Sequence, residues 1–151
     1  MRNTLVSTFG LILALSWALS GTALAFEIED ERRFGAPNAT REIAILSTTD
    51  IALFSPLAEA FLARNPTLSL RYVQATSQQV HAAIDTERAA FDLVTSSAMD
   101  LQMKLANDGF SLPLPADVIN ASPDWARWRD RLVAIAQEPV VLLLATRALP
   151  E

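Results

Sequence analysis

Ile43-Ala44-Ile45-Leu46-Ser47-Thr48-Thr49-Asp50 is the stretch whose reading decides the fold. Four consecutive apolar residues read as a strand buried on both faces, the condition of a strand inside a parallel sheet. The strand runs into three hydroxyl side chains and an acid, the residues of turns and helix starts. The phrase recurs. Phe91-Asp92-Leu93-Val94 leads into Thr95-Ser96-Ser97-Ala98-Met99-Asp100. In an α/β sheet such strand ends lie along one edge, where ligands bind. Hydroxyls together with N–H groups at helix starts suit a small, anionic solute. Neither phrase holds a nucleophile beside a base, so the pattern points to holding a solute and not to transforming it.

Between and around the two phrases, strand and helix patterns alternate. After a first strand at 42–46, Phe54, Leu57, Ala58, Phe61 and Leu62 recur at helical spacing and give one apolar face. Proline is tolerated at the first helical position and costly further in. The sequence therefore predicts Ser55 as N-cap, Pro56 as the first helical residue, and 48–54 as an irregular connector. Asn65-Pro66 ends the helix. A second strand is expected at 69–73. Thr76 and Gln79 follow with the spacing of a capping box, ahead of Val80, Ala83 and Ile84 on a second helix. The third strand is expected at 91–95. Ser97 and Asp100 repeat the capping-box spacing before Leu101 and Leu105, and Gly109 suits the left-handed position that closes a helix. Beyond Phe110, prolines at 113, 115 and 123 break the pattern, and two further strands are expected at 132–136 and 140–145. This order predicts an α/β fold, a three-layer sandwich around a parallel-rich sheet, with the first strand between the other two.

The N-terminus reads separately. Met1-Arg2-Asn3 is a short basic start, Leu5 to Leu19 is almost wholly apolar, and Ala23-Leu24-Ala25 is an A-x-A site. This is the layout of a secretory signal peptide over residues 1–25, cleaved after Ala25. The apolar run falls short of the ~20 residues a membrane span needs, so no stable span is expected after cleavage. Residues 26–41 are mixed in charge, with Gly35, Pro37 and Asn38, and read as a flexible leader. The whole chain of 151 residues carries a net charge of −5, and removing the signal takes away Arg2 and no acid. An acidic chain is a poor nucleic-acid binder, since nucleic acid is held mainly by Lys and Arg. There is no cysteine, hence no disulfide and no lipid-modified cysteine. Export without disulfides fits a periplasmic location.

Four stretches together carry a family resemblance: Ile45-Leu46-Ser47-Thr48-Thr49-Asp50, the run from Asp92 to Gln102, Asn107-Asp108-Gly109-Phe110, and Glu138-Pro139-Val140-Val141. They resemble the first lobe of a periplasmic solute-binding protein of the type 2 class, nearest its ferric-iron-type branch. The resemblance implies two α/β lobes that close on a solute, iron or a small anion, and then dock on the membrane subunits of an ABC-type uptake transporter. It implies that residues 42–151 form the first lobe. Family members are much longer, and their second lobe, with its adjacent tyrosine pair, begins where this chain ends, so a fragment or shortened form is expected. The only tyrosine here is Tyr72, inside the second strand.

On this basis the expected ligand-binding residues are Ser47, Thr48, Thr49, Ser96, Ser97 and Met99, with Ser97 as helix cap and Ser96 as the nearer ligand contact. Asp50 is a weaker candidate, because a bare carboxylate repels anions. No catalytic residue, metal ligand or cofactor is expected. His81, the lone histidine, has no Cys, His or carboxylate pair at ligand spacing and reads as a surface residue. G-x-S-x-G, P-loop and H-E-x-x-H patterns are all absent, which leaves an enzyme reading without support. Trp125 and Trp128 read as one face of a short helix, packed in the core or between lobes. The rival functional reading is a periplasmic sensor or adaptor domain that kept the lobe and lost the cleft.

Overall fold

The computed structural model describes residues 26–137, which fall into two units, one ending at Ser97 and the other beginning at Ala98. The signal-peptide segment and the strand expected at 140–145 lie outside the described residues.

The first unit is built on a four-stranded sheet. Its strands are β1 (Asp30–Gly35), β2 (Arg41–Ser47), β3 (Leu68–Gln74) and β4 (Leu93–Thr95), in the spatial order β1-β3-β2-β4. Strands β2, β3 and β4 run parallel, with Ile45 opposite both Tyr72 and Leu93. The phrase at 43–50 thus supplies the strand between the other two, as expected. Helix α1 (Ile51–Arg64) follows β2, and α2 (Ser77–Asp85) follows β3.

Side chains alternate across β2 and β3 and serve two cores, one on each face of the sheet. Ile45, Leu70 and Tyr72 pack with Phe34 of β1 and with Ile51 and Ala58 of α1. Leu46 and Val73 pack with Ala75, with Val80 and Ala83 of α2, and with Phe26. This alternation explains why Ile43-Ala44-Ile45-Leu46 is apolar throughout: a central parallel strand is covered on both faces.

Three local expectations for the first unit are corrected. The segment 26–41, read as a flexible leader, contains β1, which pairs antiparallel with β3 from Asp30↔Gln74 to Gly35↔Ser69. Its alternation is masked because most of β1 is exposed and only Phe34 turns into the core. Phe26 is also buried, and the Glu27 N–H donates to Gln79 Oε1 at 3.1 Å. Gln79 therefore ties down the N-terminal segment instead of returning to Thr76, whose Oγ1 does accept from the Gln79 N–H (3.3 Å). Strand β1 closes on Gly35 at φ +100°, where an added Cβ would lie 2.9 Å from the Leu68 carbonyl oxygen.

Second, α1 begins at Ile51 with Asp50 as N-cap, and Pro56 lies inside it. The proline removes the ladder N–H that would face the Ala52 carbonyl, and beside it the Ser55 hydroxyl donates to the Ile51 carbonyl (2.6 Å) one turn back. Burial of Ile51 and stacking of Phe54 on Tyr72 (4.1 Å) hold the first turn that proline alone would disfavour. Third, β4 starts at Leu93 and not at Phe91. Asp92 still sits beside β2, but it uses its side chain: Asp92 Oδ2 accepts from the Ala44 N–H (2.8 Å) while the Asp92 N–H donates to the Ala44 carbonyl (2.9 Å).

The second unit contains α3 (Met99–Asn107), α4 (Ala116–Ala121), a 3-10 turn (Asp124–Ala126) and the short antiparallel pair β5 (Arg127–Trp128) and β6 (Leu132–Val133). Helix α3 ends as expected on Gly109 at φ +89°, with the Phe110 N–H donating to Leu105 and the Gly109 N–H to Ala106. Its N-cap is Ala98, with no side-chain cap bond, so Ser97 is not the cap. The two tryptophans do not share a helix face. Trp125 lies in the 3-10 turn and is more than half exposed, while Trp128 ends β5 and its indole N–H donates to Asn107 Oδ1 (3.4 Å).

Candidate functional site

The carboxyl ends of β2, β3 and β4 meet along one edge of the first unit. The register sets Ser47 opposite Gln74 on one side and Thr95 on the other. Neighbouring strands are about 5 Å apart, so three strand-to-helix turns crowd together there. Each carries hydroxyls: Ser47-Thr48-Thr49, Thr76-Ser77 and Thr95-Ser96-Ser97.

The turn after β2 is tied by hydrogen bonds both within itself and to its neighbours. Ser47 is fully buried, and its Oγ accepts from the Thr49 N–H at 3.0 Å, a local turn bond. The Ser47 hydroxyl thus shapes the turn from beneath. Thr48 is half-buried and bridges to the neighbouring turn twice: its N–H donates to the Thr95 carbonyl (3.2 Å), and its Oγ1 accepts from the Ser97 N–H (3.2 Å). Thr49 and Ser97 are exposed, and Ser96 is half-buried with its Oγ 3.4 Å from that of Ser77. The structure therefore brings Ser47, Thr48, Thr49, Ser96 and Ser97 to one edge. Met99, the sixth residue expected there, is the first residue of α3 in the second unit, with an exposed side chain.

Strand β3 contributes residues that sequence reasoning passed over. Tyr72 is fully buried, and its hydroxyl donates to the Thr49 carbonyl at 2.8 Å. Burial raises its pKa above the usual phenol value, with the hydrogen bonds to Ser47 and Thr49 pulling the other way. Gln74 spans the start of α1: its Oε1 accepts from the Ile51 N–H (3.1 Å) and its Nε2 donates to Asp50 Oδ1 (3.0 Å). The same Nε2 is 3.4 Å from Glu29 Oε2. A signal for this third turn was present. Tyr72-Val73-Gln74-Ala75-Thr76-Ser77 is another strand running into hydroxyls, disguised by the two residues between.

Electrostatically the edge is mixed. Asp50 and Glu29 place carboxylates beside it, both reached by the Gln74 amide. The Ser97 N–H, a possible anion donor, is already given to Thr48. Among the described residues no three His, Cys, Asp or Glu side chains gather as a metal-binding group. His81 departs from the simple surface reading: it is half-buried, and its Nε2 is enclosed without a hydrogen-bond partner. An open cleft of about 500 Å³ lies at the opposite end of the sheet, lined by Arg33, Phe34, Pro37 and Glu42 among others. Its charges are paired with each other, Arg33 Nε to Glu42 Oε2 at 3.1 Å. It lies at the wrong end of the parallel strands for a ligand site of this sheet type.

The edge is thus that of a parallel-rich α/β sheet whose strand ends carry hydroxyl turns. Among solved structures the chain is similar to the crystal structure of the substrate binding protein of the ABC transporter from Agrobacterium tumefaciens, with a TM-score of 0.61 and 29% sequence identity. The match covers 67% of this chain and 32% of that one, so the chain spans about a third of the length of that protein. No protein-family model matches the chain, and no curated protein matches it.

Proposed function

We propose that this chain acts as the first lobe of a solute-binding component of an ABC-type uptake system, in the periplasm or outside the cell. The observation that carries the reading is the convergence of the turns after β2 and β4, locked together through Thr48, at the edge where α/β sheets bind ligands. The likeness to an ABC-transporter substrate binding protein supports the same role, with a solute and transporter membrane subunits as partners. A second lobe would supply the other wall of the cleft.

The solute is small and is held by hydroxyls and backbone groups, with Thr48, Thr49, Ser96 and Ser97 facing it and Ser47 shaping the turn below. The iron and small-anion classes remain the proposal, and the carboxylates of Asp50 and Glu29 favour the former. A ferric ion, as cargo, tolerates an acidic rim that would repel a bare anion. Four or five neutral hydrogen bonds at ~0.5–1.5 kcal/mol each, set against the ordering cost of association, give a lone lobe an affinity no tighter than about millimolar.

The experiment is a calorimetric titration of the protein with ferric citrate, phosphate and a small amine, repeated with a Thr48→Ala, Ser96→Ala variant. Millimolar binding of ferric citrate that the double variant weakens supports the reading. Binding that the variant leaves unchanged would remove these hydroxyls from the site.

A further inference from the structure

The turn after β2 has no rigid element of its own. Residues 48–50 connect β2 to α1, yet Thr49 and Asp50 are exposed. A turn with so little burial depends on the hydrogen bonds that reach it to stay in one shape. Besides the Ser47 hydroxyl and the bonds of Thr48 to the turn after β4, two side chains reach it from β3. Tyr72 and Gln74 are two apart on that strand, so they share one face of the sheet. Tyr72 donates to the Thr49 carbonyl from below. Gln74 accepts from the Ile51 N–H and donates to Asp50, bridging the last turn residue and the first helical one. Phe54, one turn into α1, stacks on the Tyr72 ring at 4.1 Å with the planes 20° apart, which fixes where the hydroxyl points.

We infer that Tyr72 and Gln74 are positioning residues: they clamp the β2–α1 turn from β3 and preorganise its hydroxyls before any solute arrives. The inference rests on the reading of this edge as the ligand site for its functional meaning, but the clamp itself is a property of the free protein. Preorganisation matters because any ordering of the turn left to the moment of binding is subtracted from affinity. It also gives Gln74 a specific task. Its amide carries an acceptor for the Ile51 N–H and a donor for the Asp50 carboxylate, a combination that neither Glu nor Leu reproduces.

Amide hydrogen exchange of the free protein, read residue by residue by NMR, tests the clamp without a ligand. Tyr72→Phe keeps the ring, its stacking and its burial, and deletes one hydroxyl. Gln74→Glu keeps the acceptor for Ile51 and sets a second carboxylate against Asp50. Each variant should speed exchange at Thr48, Thr49 and Ile51 by about 2- to 10-fold, the effect of losing one hydrogen bond. Exchange at β2 and β3 amides in mid-sheet should stay within the error. Unchanged turn exchange in both variants overturns the inference. So does a uniform acceleration across sheet and turn, which would make Tyr72 an ordinary core residue. Absence of solute binding in the unaltered protein would count against the functional reading and leave the exchange result standing.

Discussion

Tyr72 is where a single atom does most. It is the only tyrosine in the chain, so phenolate absorbance reports it alone. Burial raises its pKa, and a spectrophotometric titration should find the midpoint above the ordinary value of about 10. The stability it contributes is fully present below that unfolded value and is lost as pH rises through the raised folded one. A midpoint at or below 10 would show that the hydroxyl is not enclosed as described. Glu31 behaves in the opposite sense. Its hydrogen bond to Arg71, 3.0 Å from Nε, holds its carboxyl below the usual range against a smaller opposing effect of burial. Its contribution is present above the unfolded carboxylate value and fades as pH falls through the folded one. Both partners are a quarter to a third exposed, so solvent screening keeps that contribution small. At the start of α2, Thr76→Ala removes the acceptor for the Gln79 N–H and should cost about 1 kcal/mol in a denaturant titration. No loss would mean that water replaces the cap without penalty.

At the scale of elements, α1 and β1 show where local rules yield to tertiary contacts. Proline chemistry alone starts the helix at Pro56, yet it starts at Ile51 because Ile51 and Phe54 are worth more in the core than one ladder bond. Pro56→Ala restores an N–H facing the Ala52 carbonyl, and should raise unfolding stability by about 1–3 kcal/mol. A drop in stability would imply that the ring is itself a packing contact. Strand β1 was illegible for a different reason. Its sequence, DERRFG, has no alternation to read because its exposed face carries charge. Charge on a sheet edge is how edges avoid pairing with other molecules. Removing residues 26–35 would strip Phe26 and Phe34 from both cores and uncover β3, and the remainder should aggregate or unfold. A soluble, folded product would restore the leader reading. By contrast, β2, β3 and α2 were legible because burial on a known face imposes a period, and Gly109 because only a left-handed residue closes that helix. The candidate site was legible only in its hydroxyls. Tyr72 and Gln74 reach across from a neighbouring strand, and no spacing along the chain announces a contact between Tyr72 and Thr49.

For the whole molecule the central claim is that the carboxyl edge of the β3-β2-β4 ribbon holds a solute. The sheet order puts that edge where an α/β lobe binds, and the likeness to an ABC-transporter substrate binding protein covers 67% of the chain. The competing concavity, at the Arg33 and Glu42 end, offers an ion pair already satisfied. These two ends of one sheet are far enough apart for a residue-resolved measurement to choose between them. The most direct test is a two-dimensional amide NMR titration of the intact protein with ferric citrate and, separately, with phosphate, up to tens of millimolar. Signals of Thr48, Thr49, Ser77, Ser96 and Ser97 should shift or broaden together with one saturating curve, while those of Arg33, Phe34 and Glu42 stay still. Perturbation confined to the Arg33 end, or none at the hydroxyl turns with either solute, would contradict the account.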